Sequence, residues 1–251
     1  MDLTVLGSSA AFPAPGRASS GYLLRHDGFN LALDLGTGTL ASLQEHISVA
    51  DLHGVVISHP HWDHFLDLYP LFVSRHWHET KLPVIDVVAP TGFEEFVLRL
   101  NNSEEGETTM RSVYTFREVE PGDPFEIGPF SAQTHLLPHW VRNMGTRLSA
   151  DGTTIAYTGD TGPSDDLPVL ARDVDTLVTE ASWLRRPDGV DPFHLTAEEA
   201  GQHAARSGAG RLLISHLWPG EDRERARELA AKGFDGELVV AEEGLHLEVG
   251  A

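Results

Sequence analysis

The stretch Ser58-His59-Pro60-His61-Trp62-Asp63-His64 constrains this chain more than any other part of it. Four metal-capable side chains fall within six residues, between the apolar run Val55-Val56-Ile57 and the amphipathic run Phe65-Leu66-Asp67-Leu68. A short β-branched run bounded by polar residues reads as a buried strand, and the spacing after it is helical, so the cluster sits on a strand-to-helix turn. Such a turn lies at the carboxyl end of a strand, where α/β folds place their sites. His59 and His61 can converge on one ion, while Asp63 and His64, turned away by the start of the helix, can reach a second. Cations such as Zn²⁺ take imidazole nitrogen and carboxylate oxygen, and an open position on the ion makes such a site catalytic. The competing account is an ordinary turn whose histidines bind nothing; this density and order of ligands disfavours it.

The order H-x-H-x-D-H, written here HPHWDH, resembles the signature of the metallo-β-lactamase superfamily. That resemblance implies an α/β fold, a four-layer αββα sandwich, with one or two metals at one edge of its two sheets. A length of 251 residues, 41% of them hydrophobic, is enough for one large core or two fused half-cores, and a single domain over residues 1–251 is the simplest expectation. There is no cysteine, so histidine and carboxylate must supply every ligand and disulfides are excluded. Met1 leads straight into the strand-like Leu3-Thr4-Val5-Leu6, and no run approaches the length of a membrane span. A soluble, cytoplasmic protein is therefore expected, with no membrane partner; a homodimer is left open.

Charge bears on the substrate. With 18 Lys plus Arg against 38 acidic residues and a formal charge of −20, the chain is a poor match for a long polyanion. Proteins that bind long nucleic acid draw most of their affinity from neutralised phosphates. A single small phosphate is still within reach of metal ions or of a local basic patch.

Along the chain, residues 2–7 read as a strand, followed by a Gly/Pro-rich loop through Gly16. Tyr22-Leu23-Leu24 and Leu31-Ala32-Leu33-Asp34 read as a hairpin, and a helix is expected from the Gly36-Thr37-Gly38 turn to about His46. In proteins of the superfamily an acidic residue here packs under the metals, and Asp34 resembles it; a surface turn is the plain alternative. Phe65–Trp77 has helical spacing. Trp62, His76, Trp77 and His78 either line the mouth of the site or pack. Val84–Val88 reads as a strand, Phe93–Leu100 as a helix, and Asn101–Met110 as an exposed loop or the junction between halves. Val113–Val119 and Phe125–Leu137 return to strands, and Arg223–Lys232 and Leu238–Val240 read as scaffold helix and strand.

The resemblance extends into the second half. His139, after Leu137-Pro138, takes the place of the third ligand of the first ion. Thr158-Gly159-Asp160-Thr161, at the end of a strand, resembles the superfamily's bridging-aspartate motif, and His216, ending Leu212-Leu213-Ile214-Ser215, completes the second shell. The implied ligand set is His59, His61 and His139 on one ion, Asp63, His64 and His216 on the other, and Asp160 between them. Two divalent ions are implied, zinc first, with manganese or iron as alternatives.

Two further features resemble the RNase Z-like phosphodiesterase branch. Glu180 ends the strand Leu177-Val178-Thr179, and His194 precedes a helix that Thr196 and Glu199 open with a capping box. The resemblance implies that Glu180 orients His194 toward a scissile phosphate, as contact or general acid, while Asp63 accepts a proton from the attacking water. A capping region with an exposed histidine is the alternative. Arg142 and Asn143, just after His139, are candidate substrate contacts. Some compact members of the branch hydrolyse cyclic nucleotides. This chain lacks the basic, Gly/Pro-rich arm of tRNA-processing relatives, so a small phosphodiester is expected ahead of pre-tRNA. Lactam, lactone or thioester hydrolysis ranks lower, and a metal-binding sensor without turnover is the reading from another class.

Overall fold

The computed structural model of the protein describes residues 1–100 and 104–250. The first half builds one sheet. Strands β1 (Asp2–Gly7), β2 (Gly21–His26) and β3 (Phe29–Leu35) form an antiparallel meander, and β4 (Gly54–Val56), β5 (Ile85–Pro90) and β6 (Tyr114–Val119) then add in parallel. Helices α1 (Thr39–Gln44), α2 (Trp62–Phe65), α3 (Leu68–His76), α4 (Phe93–Leu100) and α5 (Glu104–Arg111) lie in the connections. In the second half β7 (Pro124–Ile127), β8 (Phe130–Leu137), β9 (Asn143–Ala150) and β10 (Thr153–Tyr157) are antiparallel. They are followed by parallel β11 (Thr176–Glu180), β12 (Arg211–Ser215) and β13 (Glu237–Val240), linked through α6 (Leu167–Leu170), α7 (Ala197–Ser207) and α8 (Arg223–Ala230). β14 (His246–Glu248) returns to pair with β1, giving two seven-stranded sheets in the orders β14-β1-β2-β3-β4-β5-β6 and β13-β12-β11-β10-β9-β8-β7.

Strand periodicity explains the layering. Successive side chains of a strand point to opposite faces, and here both faces are apolar. Leu31, Leu33, Val56, Val178 and Leu213 meet in a core between the sheets. Their neighbours Ala32, Leu35 and Val55 pack outward against the helices of the first half, and Leu177, Leu212 and Ile214 against those of the second. Three apolar layers between four layers of structure make the expected αββα sandwich. No helix among the described residues is long and apolar enough to cross a membrane.

Some boundaries differ from the sequence reading. The helical run expected over Phe65–Trp77 is broken between α2 and α3, because Asp67 turns inward: its N–H donates to Leu35 O, and its carboxylate accepts from Leu40 N at 2.7 Å, serving the first turn of α1. The loop expected over Asn101–Met110 is instead largely α5, amphipathic enough to bury Met110; residues 101–103 lie outside the described residues. The capping box of α7 is present as read, with Thr196 Oγ1 accepting from Glu199 N and the Glu199 carboxylate accepting from Thr196 N.

Candidate metal centre

Six strand ends and two loops converge on one edge of the sandwich. Asp34 comes from β3, Ser58-His59 from the end of β4, His139 from β8, Asp160 from β10, Glu180 from β11 and His216 from β12. The turn into α2 carries the remaining HPHWDH ligands. His61 is still extended (φ −82°, ψ 144°) and α2 begins at Trp62, so the change of backbone direction separates His59 and His61 from Asp63 and His64.

The ligand atoms form two groups that share one carboxylate. In the first, His61 Nδ1 lies 3.0 Å from both His59 Nε2 and His139 Nε2, and Asp160 Oδ2 lies 3.7 and 3.8 Å from His59 and His139. In the second, Asp160 Oδ1 lies 3.1 Å from His64 Nε2 and 3.3 Å from His216 Nε2, while Asp63 Oδ2 is 3.2 Å from His216 Nε2. All seven residues of the expected set are therefore brought together, with the two oxygens of Asp160 facing different groups.

The outer ring nitrogens show why these contacts fit cations. His64 Nδ1–H donates to Asp34 Oδ2 at 2.6 Å and His139 Nδ1–H to Phe193 O at 3.1 Å. Ser58 Oγ gives its proton to Asp34, and Ser182 Oγ gives its own to Glu180. Each hydroxyl can therefore only accept from its histidine, His59 Nδ1 at 2.9 Å and His216 Nδ1 at 2.9 Å. With four Nδ1 protons directed outward, four Nε2 lone pairs point inward at one another. With these rings neutral, Asp160 Oδ1 is buried without a hydrogen-bond donor among the described residues. Converging lone pairs and an orphaned carboxylate oxygen repel in isolation, and divalent ions satisfy both. The donor set fits two such ions.

The electrostatics of the ligand set by itself agree. Burial, reinforced by neighbouring imidazoles, holds His59 well below the usual histidine range and His61 at about 4, so both are neutral ligands. Burial alone would raise Asp63, yet the charge of His64 and the close contact with His216 hold it at about 2. His64 runs the other way: burial opposes its charge, but Asp160, Asp63 and Asp34 raise it well above the usual range. A proton on His64 balances those carboxylates where no cation does, so metal binding displaces it.

Asp34 is the hub beneath the ligand set. Its carboxylate accepts from Ser58 N and Ser58 Oγ at 2.7 Å each, from His64 Nδ1, and from Tyr157 OH. Its left-handed φ of +57° is an uncommon state for a non-glycine residue; His216, at +52°, shares it. Gly159 is required beside Asp160: at φ +58° a Cβ would stand 2.3 Å from Asn143 Oδ1 and 2.6 Å from Ser58 Cβ.

Next to the metal ligands, Glu180 Oε1 accepts from His194 Nδ1 at 2.9 Å, and Glu180 is itself held by Thr161 N, Leu195 N and Ser182 Oγ. Burial would lower the His194 imidazole, but the charge and hydrogen bond of Glu180 raise it to about 9. His194 lies 3.9 Å from Asp160 Oδ2 and lines a cavity of about 280 Å³ that also reaches His61, Asp63, Asp160 and His216.

Arg142 and Asn143 are not brought to that cavity. Arg142 pairs with Glu120 at 2.6 Å on the outer surface, and Asn143 is fully buried with its amide donating to Thr158 O, behind Gly159. The β8–β9 connection turns back before either side chain reaches the cavity; Asn143 supports the Asp160 turn instead. Trp62 and Trp77 are 67% and 77% exposed and line no wall of this cavity, and His76 and His78 face a separate one. Its aromatic walls are Trp140, Trp183 and Trp218. The sequence reading missed Trp183 and Trp218, although each follows a site residue, Glu180 or His216, by two or three positions. It also missed Ser182 and Tyr157, which carry no signal apart from their place at strand ends.

The beta-lactamase superfamily domain family matches residues 30–217 of the chain. An uncharacterized protein of Mycobacterium leprae is 37% identical over 240 residues, spanning 93% of this chain and 84% of that protein. The crystal structure of the metallo-beta-lactamase fold protein YhfI from Bacillus subtilis matches with a TM-score of 0.88 at 26% identity, over 98% of this chain and 99% of that one. A ribonuclease Z of Thermobifida fusca is 29% identical over 304 residues, 99% of this chain and 94% of that protein.

Proposed function

The chain belongs to the beta-lactamase superfamily and is a metallo-hydrolase by that membership, and on this premise we propose that it is a phosphodiesterase for a small phosphodiester such as a cyclic nucleotide. The observation that carries the reading is the Glu180–His194 pair beside the shared carboxylate of Asp160. A histidine held in its charged form by a buried glutamate suits an anionic phosphoryl group and a leaving alkoxide that needs a proton. Hydrolysis of a lactam or thioester has less use for such a pair.

Two divalent ions held by the seven ligands, zinc in our reading, would polarise the ester and acidify water. His59, His61, His139 and Asp160 would hold one; Asp63, His64, His216 and Asp160 the other. The chain's own groups do the rest. Asp63, ionised and at the cavity, accepts the proton of the attacking water. His194, with Nδ1–H committed to Glu180, presents Nε2 to the substrate and either donates a proton to the leaving oxygen or neutralises charge on phosphorus. No Lys or Arg side chain lines the cavity among the described residues, so the site recognises one phosphate through the ions and His194 and offers no track for a polyanion. That supports a small ester over a long RNA.

The test is a turnover panel with metal-loaded protein: 2′,3′- and 3′,5′-cyclic nucleotides, short RNA and pre-tRNA, each with a chelator-treated control. Hydrolysis of a cyclic nucleotide that the chelator abolishes is expected. Turnover of pre-tRNA alone would assign the chain to RNA 3′-end processing, and no turnover of any phosphodiester would favour a metal-binding sensor.

A further inference from the structure

Three of the five tryptophans of the chain line the cavity that reaches His61, Asp63, Asp160 and His216. They come from three different loops, after β8, β11 and β12. Trp183 and Trp218 are stacked, with ring centroids 4.7 Å apart and an interplanar angle of 24°, and Phe12 packs edge-on against Trp218 at 5.8 Å.

The backbone fixes this pair in place. Trp218 N donates to Ser182 O, Trp183 N to Leu195 O, and Ala197 N to Trp183 O. The loop carrying Phe12 is stitched to the same strand end, since Ala10 N donates to Leu217 O and Leu217 N to Ser8 O, while Ser9 Oγ donates to Phe12 O. Ala11, at the cavity wall, adopts a left-handed φ of +57°, an uncommon conformation held by those bonds. Trp140 stands against the metal-side histidines, 5.3 Å from His194 and 5.2 Å from His139, and remains 57% exposed.

We infer that the cavity is a slot for a planar aromatic ring, with Trp218 on Trp183 as its fixed platform and Trp140 as its second aromatic wall. The substrate class this selects is a phosphodiester carrying one flat ring within reach of the scissile phosphate, as the nucleobase of a single nucleotide does. A rigid stack loses no side-chain freedom when a third ring joins it, and base–aromatic stacking holds any base by its π-face. The volume, about 280 Å³, is at the small end for ligand sites and suits one ring with its phosphate. With no Lys or Arg in the wall among the described residues, the ring supplies the affinity that those side chains would supply to a polyphosphate.

This inference rests on the phosphodiesterase reading, and the experiment separates the two. The kcat/KM of zinc-loaded protein is measured for a cyclic nucleotide, for the same cyclic phosphate on ribose lacking a base, and for bis(p-nitrophenyl) phosphate, in wild type, Trp218→Leu, Trp218→Phe and Trp140→Ala. The expected result is a wild-type preference for the ring-bearing cyclic ester on the order of 10- to 100-fold, collapsed in Trp218→Leu and mostly kept in Trp218→Phe. A preference unchanged in both Trp218→Leu and Trp140→Ala, or absent in wild type, overturns the slot. Preference for the aryl ester alone keeps the slot and assigns it to an aryl group other than a nucleobase. If wild type turns over none of these esters, the phosphodiesterase reading fails. The slot is then judged by equilibrium dialysis of a nucleoside 5′-monophosphate against ribose 5-phosphate, and equal binding of the two overturns it.

Discussion

Asp34 shows how much a single residue can carry when it is buried beneath a metal centre. Its two oxygens accept from four donors, three of them belonging to the β4 turn and His64. An amide at this position keeps the shape but brings two N–H donors against groups that also donate. Asp34→Asn should therefore lower metal affinity about 10- to 100-fold through His64 and Ser58, read by chelator competition; unchanged affinity would refute the hub role. His194 gives a prediction with a definite pH sign. Its folded pKa, about 9, lies above its ordinary 6.5, so its pairing with Glu180 stabilises the metal-free protein fully below about pH 6.5 and the contribution fades as pH rises through about 9. Urea unfolding of chelator-treated wild type and His194→Gln should differ by at most about 3 kcal/mol at pH 6, and the gap should shrink by pH 10. A gap independent of pH would mean that His194 is held by packing alone. In the metal-loaded protein, His194→Ala should lose most of kcat while metal content, measured by elemental analysis, is unchanged.

At the level of elements, α7 ties the position of His194 to helix capping. Glu199 accepts from Thr196 N in the capping box and also pairs with Arg186, whose guanidinium donates to His194 O at 2.8 Å. The start of the helix thus fixes the loop that carries His194. Small residues let the element seat: a Cβ at Gly201 would stand 2.1 Å from Ala230 O of α8. Thr196→Ala should cost about 1 kcal/mol, a fall in Tm of about 2–4 °C for a chain of this size. A loss of kcat should accompany it, since the loop holding His194 loosens. Thermal unfolding and steady-state kinetics check both, and lost stability with unaltered kcat would uncouple cap from site. α2 and α3 show the opposite lesson. Their apolar spacing reads as one helix, and only the inward turn of Asp67 toward α1 divides it.

For the whole molecule, a bound metal would join what the chain keeps apart. Candidate ligands from the first sheet (His59, His61, Asp63, His64) and the second (His139, Asp160, His216) face one another across the edge of the sandwich, so metal binding would clamp the two sheets. An ion at about 1,000 times its Kd contributes about 4 kcal/mol, and chelation should lower Tm by on the order of 10 °C. A Tm insensitive to chelator would mean that no ion is held. Much of this was legible in the chain itself. HPHWDH is local, and turn geometry within six residues already sorts its ligands into two groups; buried strands, the capping box and the strand-end His139, Asp160, Glu180 and His216 are likewise patterns over a few residues, to which resemblance lent a common purpose. What only the tertiary structure decided depends on contacts between residues far apart in sequence. These are the two oxygens of Asp160 facing different ligand groups, the Asp34 hub with Tyr157 contributed by the other sheet, the removal of Arg142 and Asn143 from the site, and the meeting of Trp183 with Trp218. A side chain's direction at a loop or strand end is set by what packs against it, and local pattern carries no record of that partner.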